Sequence, residues 1–196
     1  MVSNNQYEGD CLSEEEYLAS EPASELKREY IDGRVYAMAG AGYNHNCIAA
    51  NVLRKFGNHL EGTPCATFMA DIKVKLGKDY VYPDVLVDCS KMSGSDVFST
   101  SPVIIVEVLS RSTRKTDTTT KLIRYFNLPS LQEYVLIEPD FVSVQVLRRS
   151  KNWLPEYFFL GDEVTFESIG LTLPVEDIYD RVDNPDINEF KAIKPS

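Results

Sequence analysis

Hydrophobic and polar positions in the first third of the chain predict a helix, a hairpin and a second helix. In CLSEEEYL, Ser13 and Glu16 have the spacing of a capping box, so a short helix is expected over about 14–20. The β-like runs of REYIDGRVYAMA flank Asp32-Gly33, a strong signal for a two-residue hairpin turn. Further on, four apolar residues recur at helical spacing and predict an amphipathic helix over about 44–60: Ile48, Val52, Phe56 and Leu60.

Strand patterns dominate the middle of the chain. CATFMADIKVKL and DYVYPDVLVDC are each typical of strands, and in the first of them Lys73 and Lys75 alternate with apolar residues, so both are expected to be half-exposed. After a polar loop over about 90–101, PVIIVEVLS has the continuous apolar run of a strand buried on both faces. TDTTTKLIRYFNL predicts a helix and EYVLIEP a further strand. Residues 103–137 should therefore form a β-α-β unit with parallel strands and a right-handed crossover.

The last third of the chain predicts an antiparallel meander. FVSVQVLRR, WLPEYFFL and EVTFES supply its strands, LPVEDIYDRV ends in a short helix, and the last dozen residues look loose. The predicted fold class is α/β, with a mixed central sheet flanked by helices and the meander near the C-terminus. A chain of 196 residues is most simply one domain, 1–196, with its core over about 12–180.

Composition, the lengths of the apolar stretches and the cysteine spacing together predict the cellular location. A hydrophobic content of 43% and a charged content of 26% are ordinary for a globular protein. No apolar stretch approaches the roughly 18 residues of a membrane span, and the N-terminus lacks a basic region followed by an apolar core, so we expect no membrane partner and a cytoplasmic location. The four cysteines lack the C-x-x-C spacing of a zinc site. They could form two disulfides, but reduced thiols are favoured in a cytoplasm.

The net charge of −10 argues against a protein that coats nucleic acid, because affinity for phosphates is largely electrostatic. It leaves room for an enzyme with a local basic patch. Such a patch follows the buried strand. Residues 111–124 include a single acid, Asp117, and five basic residues: Arg111, Arg114, Lys115, Lys121 and Arg124. The alternative interpretation is a solvated helix face.

Glu107 is the residue that needs an explanation, since it interrupts an otherwise apolar strand. Burying an unpaired carboxylate costs several kcal/mol, so a cation, a metal or water must compensate it. If this strand neighbours the strand that begins at Pro83-Asp84, the Asp84 and Glu107 carboxylates can point into the same space, where they would repel each other. Mg²⁺ would remove that conflict. If Glu107 is a metal ligand, the two carboxylates should lie within about 6 Å. The alternatives are a turn acid for Asp84 and a structural pair with Lys121 or an arginine for Glu107.

Lys121 is the cation expected near Glu107. It lies on the helix that follows the strand, four residues after Asp117, so the two side chains should share a face. Because Leu122, Tyr125 and Phe126 must face the core, Lys121 is expected at the border between core and solvent, with its ammonium near water. The alternative is a simple solvated lysine.

Several of these stretches together resemble a known family. PDVLVDC, VIIVEVLSRST, Asp117, Lys121 and Tyr125, preceded by REYIDGRVYAMAG and His45, are similar to the Uma-two type family of "putative restriction endonucleases" in the PD-(D/E)XK nuclease superfamily. The likeness spans roughly residues 12–150. It implies a restriction-endonuclease-like fold and Mg²⁺-dependent hydrolysis of phosphodiester bonds in DNA, with Mn²⁺ as a substitute metal.

The resemblance also implies roles for individual residues. Asp84 and Glu107 become the Mg²⁺ ligands, with the Val108 carbonyl as a third. The superfamily places a lysine two residues after the acid, where this chain has Leu109. Lys121 would take its place, orienting the attacking water and offsetting charge on the phosphate.

Two further residues match the N-terminal part of the family pattern. Glu29 would approach the metal as an additional acid, and His45 would orient water or touch phosphate. The alternatives are a surface acid of the hairpin for Glu29 and a polar residue at the helix end for His45. The basic stretch would contact the DNA backbone, with Arg148 and Arg149 as a second patch.

Two other classes of function remain open. A nuclease-like fold that serves as a non-catalytic binding or assembly module is favoured by Leu109 and by the acidic net charge. A small-molecule-binding α/β domain is the third hypothesis.

A homodimer is also expected, because the meander carries more aromatic residues than one sheet face readily buries: Phe141, Trp153, Tyr157, Phe158 and Phe159.

Overall fold

A computed structural model of the chain describes residues 11–110 and 113–193. Its helices are α1 Glu14–Ser20, α2 Tyr43–His59, α3 Arg114–Thr116, α4 Leu122–Phe126, α5 Val175–Ile178 and α6 Pro185–Ile193. A π-helical turn, Asp117–Lys121, joins α3 to α4, and 3-10 turns cover Glu21–Ala23 and Arg149–Lys151.

The strands of the described residues are short. In chain order they are β1 Arg28–Ile31, β2 Arg34–Ala37, β3 Ala66–Met69, β4 Lys73–Leu76, β5 Asp79–Val81, β6 Val85–Asp88, β7 Phe98–Ser99, β8 Pro102–Val108, β9 Glu133–Ile137, β10 Val144–Arg148, β11 Pro155–Phe158, β12 Glu163–Phe166 and β13 Leu171–Pro174.

Two sheets form the framework. The larger has the strand order β11-β10-β9-β8-β6-β3, and the smaller has the order β2-β1-β5-β4-β7. In the larger sheet β8 and β9 are parallel while the other pairs are antiparallel, so the mixed sheet and the β-α-β unit are both confirmed. The fold class is therefore α/β, as predicted.

The strand β8 is buried on both faces. Ile104 and Val106 pack in the core that contains α2 and α5, whereas Ile105 packs on the opposite side with residues of α4 and of the smaller sheet. Glu107, two residues after Ile105 on this strand, lies on the same side as Ile105 and is buried, so water cannot solvate it freely.

The local signals at the N-terminus are confirmed. Ser13 and Glu16 make both bonds of the capping box, with the Ser13 N–H donating to Glu16 Oε2 at 2.8 Å and the Glu16 N–H donating to Ser13 Oγ at 3.2 Å. Asp32 and Gly33 both have positive φ, 53° and 78°, as a tight hairpin between right-twisted strands requires. The long helix α2 also falls where the apolar spacing places it.

Two predicted strands are each divided between the sheets. CATFMADIKVKL breaks near Ala70, which has a φ of 51°, so that β3 joins the larger sheet and β4 the smaller. DYVYPDVLVDC breaks at Pro83 in the same way, into β5 and β6. The expected half-exposure of Lys73 is wrong, since its side chain is buried with the ammonium 5.2 Å from the centre of the Tyr82 ring.

The C-terminal third differs in two respects. The strand β12 does not continue the meander, because it pairs with β13 in a separate hairpin. The last dozen residues are not loose, since α6 occupies most of them. Asn184 Oδ1 accepts the Ile187 N–H at 3.0 Å and Asp186 accepts the Val142 N–H at 2.7 Å, which fixes this helix to the sheet.

One disulfide contradicts the expected reduced cysteines. The pairing of Ala66 with Asp88 places Cys65 directly opposite Cys89, and the two residues are bonded. Cys11 and Cys47 are free thiols. Among the helices of the described ranges, none is both long enough and apolar enough to cross a membrane.

Candidate active site

Neighbouring strands bring Asp84 and Glu107 to the same end of the larger sheet. Val85 pairs with Val106, so Asp84, one residue before β6, lies at the level of Glu107 on β8. The Val108 N–H donates to Asp84 Oδ2 at 2.7 Å. His45, in the first turn of α2, places Nε2 3.2 Å from the same oxygen.

The negative charge of Glu107 is compensated by a buried lysine. The Lys121 ammonium lies 3.3 Å from Glu107 Oε1 and 2.8 Å from Glu29 Oε1. It also lies 3.2 Å from Asp117 Oδ1, four residues earlier. The Tyr125 hydroxyl donates to Glu107 Oε1 at 3.0 Å. The carboxylate in the apolar strand is therefore paired with an ammonium and held by a phenol.

The predicted contact between Lys121 and Glu107 is confirmed, but the expected environment of Lys121 is wrong. Its side chain is only 3% exposed, so the ammonium does not lie near water. The reason is the set of three acids, which replaces hydration, together with the π-helical turn that carries both Asp117 and Lys121.

Sequence reasoning did not assign Asp117 and Tyr125 to the site. A signal for them exists, because Asp117, Lys121 and Tyr125 are spaced by four residues each. Read as one polar stripe along the helix, this spacing places all three side chains on the face that meets Glu107.

Burial and like charges set the protonation of the cluster. Burial raises the pKa of Glu107 well above its usual 4.5; Lys121 opposes this shift, while Asp117, Asp84 and Glu29 add to it. Burial disfavours the charged form of Lys121, but the surrounding acids hold its pKa above 10.5. The protonated Lys121 thus contacts three acids. Among them Glu107 is the one whose pKa is raised, so it is the acid expected to bind a proton or a cation.

The pKa of His45 is also raised. Burial would lower it, but the hydrogen bond to Asp84 and the charge of that carboxylate outweigh burial. The contact with Asp84 is thus stronger when His45 is protonated, and it ties α2 to the beginning of β6.

Glu29 is not a surface acid of the hairpin. It is 8% exposed, and its Oε1 accepts the Tyr82 N–H at 3.0 Å. Arg124 holds the hairpin in place, because its guanidinium bonds both Asp32, at 2.6 Å, and Asp79.

The basic patch is smaller than predicted. Arg124 is part of an internal clamp, Lys121 is buried, and Arg114 bonds both carboxylate oxygens of Glu138. Lys115 is exposed. Arg111 lies outside the described residues.

The second predicted patch is wrong. Arg148 is 2% exposed and bonds Glu133 and Glu156. Arg149 donates to the carbonyl oxygens of Leu131 and Leu128. Both guanidiniums are thus used within the fold.

The oxygen donors at this end of the sheet fit a hard divalent cation. Asp84 Oδ2 and Glu107 Oε1 are engaged, whereas no hydrogen bond from the described residues reaches Asp84 Oδ1 or Glu107 Oε2. Two carboxylate oxygens and a main-chain carbonyl suit Mg²⁺, which takes one or two carboxylates and keeps several waters. Side chains supply only two of these ligands, because within residues 11–110 and 113–193 no group of three or more His, Cys, Asp or Glu side chains could hold a metal.

Comparisons with known proteins agree with this architecture. Residues 14–176 match the model of the family described as "Uma2: Putative restriction endonuclease". Two proteins of Synechocystis sp., both named uncharacterized, are similar: one is 36% identical over 173 residues, covering 86% of this chain and 91% of the relative, and the other is 31% identical over 150 residues, covering 73% and 85%. The crystal structure of "a putative nuclease belonging to DUF820" from Anabaena variabilis has a TM-score of 0.72 at 21% identity, covering 86% of this chain and 97% of that one.

Proposed function

Because the chain belongs to the Uma2 family, described as "putative restriction endonuclease", we propose that it is a Mg²⁺-dependent endonuclease that hydrolyses phosphodiester bonds of DNA, with Mn²⁺ as a substitute metal. The observation that carries this proposal is the meeting of Asp84 and Glu107 at the end of two adjacent strands, each with one oxygen that accepts no hydrogen bond from the described residues.

In this proposal Asp84, Glu107 and the Val108 carbonyl hold the metal. When bound, Mg²⁺ polarises the phosphoryl group and lowers the pKa of a coordinated water. The protein's own groups orient the ligands, since His45 and the Val108 N–H fix one oxygen of Asp84. Glu29 takes part through Lys121, because the Lys121 ammonium pairs with both Glu29 and Glu107.

We assign Lys121 a different role from the one the resemblance implies. Its ammonium is enclosed by three acids, so it acts on Glu107 and offsets the excess negative charge rather than touching bulk water. Because the ammonium offsets the repulsion among these acids, they can lie close together, and Asp84 Oδ1 and Glu107 Oε2 can bind one cation.

DNA contact is proposed for the segment after β8. Lys115 is exposed there, and Arg111 and Arg114 flank it in sequence. These side chains would meet the phosphate backbone. Because the loss of affinity with salt grows with the number of phosphates that cations neutralise, and few cations are available here, the affinity should fall only modestly as the salt concentration rises. We also propose a cytoplasmic location for this activity.

Plasmid cleavage tests the function and the site together. With Mg²⁺ or Mn²⁺ the protein should nick or linearise supercoiled DNA, and chelation by EDTA should stop the reaction. Asp84→Asn and Glu107→Gln should each lower the rate by about 100-fold or more, because each removes a charged metal ligand.

Asp71→Asn is the matched control, since Asp71 is an exposed acid whose side chain pairs only with Lys27 among the described residues. It should cleave at the rate of the unmodified protein. Cleavage that persists at full rate in both site variants would remove Asp84 and Glu107 from the site.

A non-catalytic binding or assembly module is the second candidate. It is favoured by Leu109, which occupies the position of the superfamily's lysine, and by the burial of Lys121 away from water. Calorimetry that shows no Mn²⁺ binding, together with salt-insensitive binding to a protein partner, would support the module over the enzyme.

We also propose a homodimer formed through the edge of the larger sheet. Phe141, Tyr157 and Phe159 are 46%, 53% and 52% exposed beside the edge strand β11. Trp153 does not contribute, because it stacks on Phe126 with ring centres 4.2 Å apart, and Phe158 is partly buried.

Sedimentation at micromolar concentration tests the dimer. We expect two copies for the unmodified protein and a shift towards one copy for Tyr157→Glu, because a buried charge at the pairing edge is unfavourable. A monomer without any substitution would contradict the proposal.

A further inference from the structure

We infer that Tyr125 is a positioning residue, which fixes Glu107 through one oxygen and thereby presents the other oxygen to the cation. This inference rests on the proposed function and adds a residue to it. Tyr125 does not itself face the substrate side of the site, so its effect passes through Glu107.

The contact between the two residues is direct and fully enclosed. The Tyr125 hydroxyl donates to Glu107 Oε1 at 3.0 Å, with Tyr125 0% and Glu107 3% exposed. The Lys121 ammonium approaches the same oxygen at 3.3 Å. Glu107 Oε1 therefore has two donors from one helical face, while Oε2 accepts no hydrogen bond from the described residues.

Asp84 shows the same division between its two oxygens. Its Oδ2 receives the Val108 N–H and lies beside His45 Nε2, and its Oδ1 has no such partner among the described residues. In each carboxylate one oxygen is anchored within the fold. The two oxygens that remain are those expected to coordinate, so the anchors determine how the ligands converge.

The Tyr125 ring is itself held firmly, so its hydroxyl has a defined position. Its centre lies 5.1 Å from that of Tyr134, which is also fully buried. The Tyr134 hydroxyl donates to the main-chain carbonyl of Asp117 at 3.0 Å rather than to Glu107. A rigid phenol costs little side-chain entropy when it orients a carboxylate.

Loss of the Tyr125 hydroxyl should loosen Glu107 without removing its charge. Lys121 would remain as a neighbour, but it is shared with Glu29 and Asp117 and cannot define the rotation of the carboxylate alone. Partners that orient metal ligands typically contribute about 10- to 100-fold to metal affinity or activity.

Tyr125→Phe and Tyr134→Phe form a matched pair for the test. Each variant removes one buried hydroxyl and one hydrogen bond from adjacent rings, so both should lower the Tm by a similar amount. Only Tyr125→Phe should weaken Mn²⁺ binding by about 10- to 100-fold in calorimetry and slow cleavage in proportion. Equal Mn²⁺ affinity in the two variants would overturn the positioning role.

A crystal structure of Tyr125→Phe separates this inference from the proposed function. We expect the Glu107 carboxylate to rotate away from its position in the unmodified protein, and to stay in place in Tyr134→Phe. If the unmodified protein neither binds Mn²⁺ nor cleaves DNA, the proposed function fails, and the position of Glu107 in the two crystals still decides whether Tyr125 holds it. An unmoved Glu107 in Tyr125→Phe overturns the inference.

Discussion

Lys121→Met should destabilise the protein by about 3–5 kcal/mol, the usual cost of removing one partner from a buried ion pair. The ammonium compensates Glu107, Glu29 and Asp117 together, and none of these acids can turn to bulk water, since their side chains are at most 11% exposed. If Lys121 lay at the solvent border, its substitution would be expected to lower activity and leave the fold intact. Because Lys121 is buried, its substitution should lower the stability of the protein first.

The pH dependence of this loss has a defined sign. Without the ammonium, burial and the neighbouring acids act on Glu107 unopposed, so the pKa of Glu107 rises further above that of the unfolded chain and the native state takes up a proton as the pH falls. Stabilisation by such protons is present at low pH and disappears as the pH rises through the folded pKa. The pKa of Glu107 is already raised in the unmodified protein. The gap between the two proteins should therefore narrow from pH 8 towards pH 5.

Urea unfolding at several pH values measures both effects. Lys115→Met is the control, because Lys115 is an exposed lysine on the neighbouring helical turn and should change the free energy of unfolding by less than about 0.5 kcal/mol. A Lys121→Met protein with the stability of this control would show that the acids do not depend on Lys121.

Arg148→Met should cost a comparable 3–5 kcal/mol, although Arg148 is remote in sequence from the site residues. Its Nε lies 3.2 Å from Glu133 Oε1, and both side chains are at most 3% exposed. The same guanidinium donates to the Thr165 carbonyl, so it joins the larger sheet to the hairpin of β12 and β13. Among the described residues, removing it leaves Glu133 with the donors of Glu167 and Ser168 alone.

Lys151→Met is the control for Arg148. Lys151 pairs with Glu156 and Glu167, two acids that also contact Arg148, but its side chain is 45% exposed. An exposed pair contributes about 0–1 kcal/mol, so thermal unfolding should separate the two variants clearly. DNA affinity measured below the Tm should not change in Arg148→Met, because the guanidinium does not face solvent. A selective loss of DNA affinity without loss of stability would restore the second basic patch.

The elements that could be predicted from the sequence are those whose cause is local. The capping bonds of Ser13 and Glu16 and the positive φ values of Asp32 and Gly33 depend on neighbouring residues alone. The β-α-β unit followed from apolar runs of strand length around a helical pattern, because neighbouring strands joined by a helical crossover are normally parallel.

The sheet assignment could not be predicted in this way. A period of two shows that Val74 and Val85 belong to strands, but it does not show that the chain leaves one sheet at Ala70 and returns to it after Pro83. The C-terminal helix α6 was missed although its start has a local signal, since Asn184 caps the Ile187 N–H and Pro185 is the first helical residue; the contact of Asp186 with Val142 then holds the helix against the fold.

The residues of the candidate site also divide into those with a local signal in the sequence and those without one. Asp84 and Glu107 were predicted to lie together because each acid accompanies an apolar strand, and the pairing of β6 with β8 places them at the same level. The burial of Lys121 was not predicted, because two of the acids that surround it, Glu29 and Glu107, come from distant elements. Arg124 and Arg148 looked like a cationic surface for the same reason, as their partners Asp32 and Glu133 are brought to them only by the fold.

The Arg124 clamp also bears on the order in which the protein folds. Arg124 and Asp32 are 92 residues apart, and the Asp32 N–H bonds Asp79 across a further separation of 47 residues. On the ribosome, the N-terminal hairpin emerges long before the helix that anchors it has been synthesised. Contacts of such sequence separation carry a large loop-closure cost and slow folding. The hairpin that delivers Glu29 should therefore dock late, and its docking would complete the smaller sheet and bring Glu29 to Lys121 in the same step.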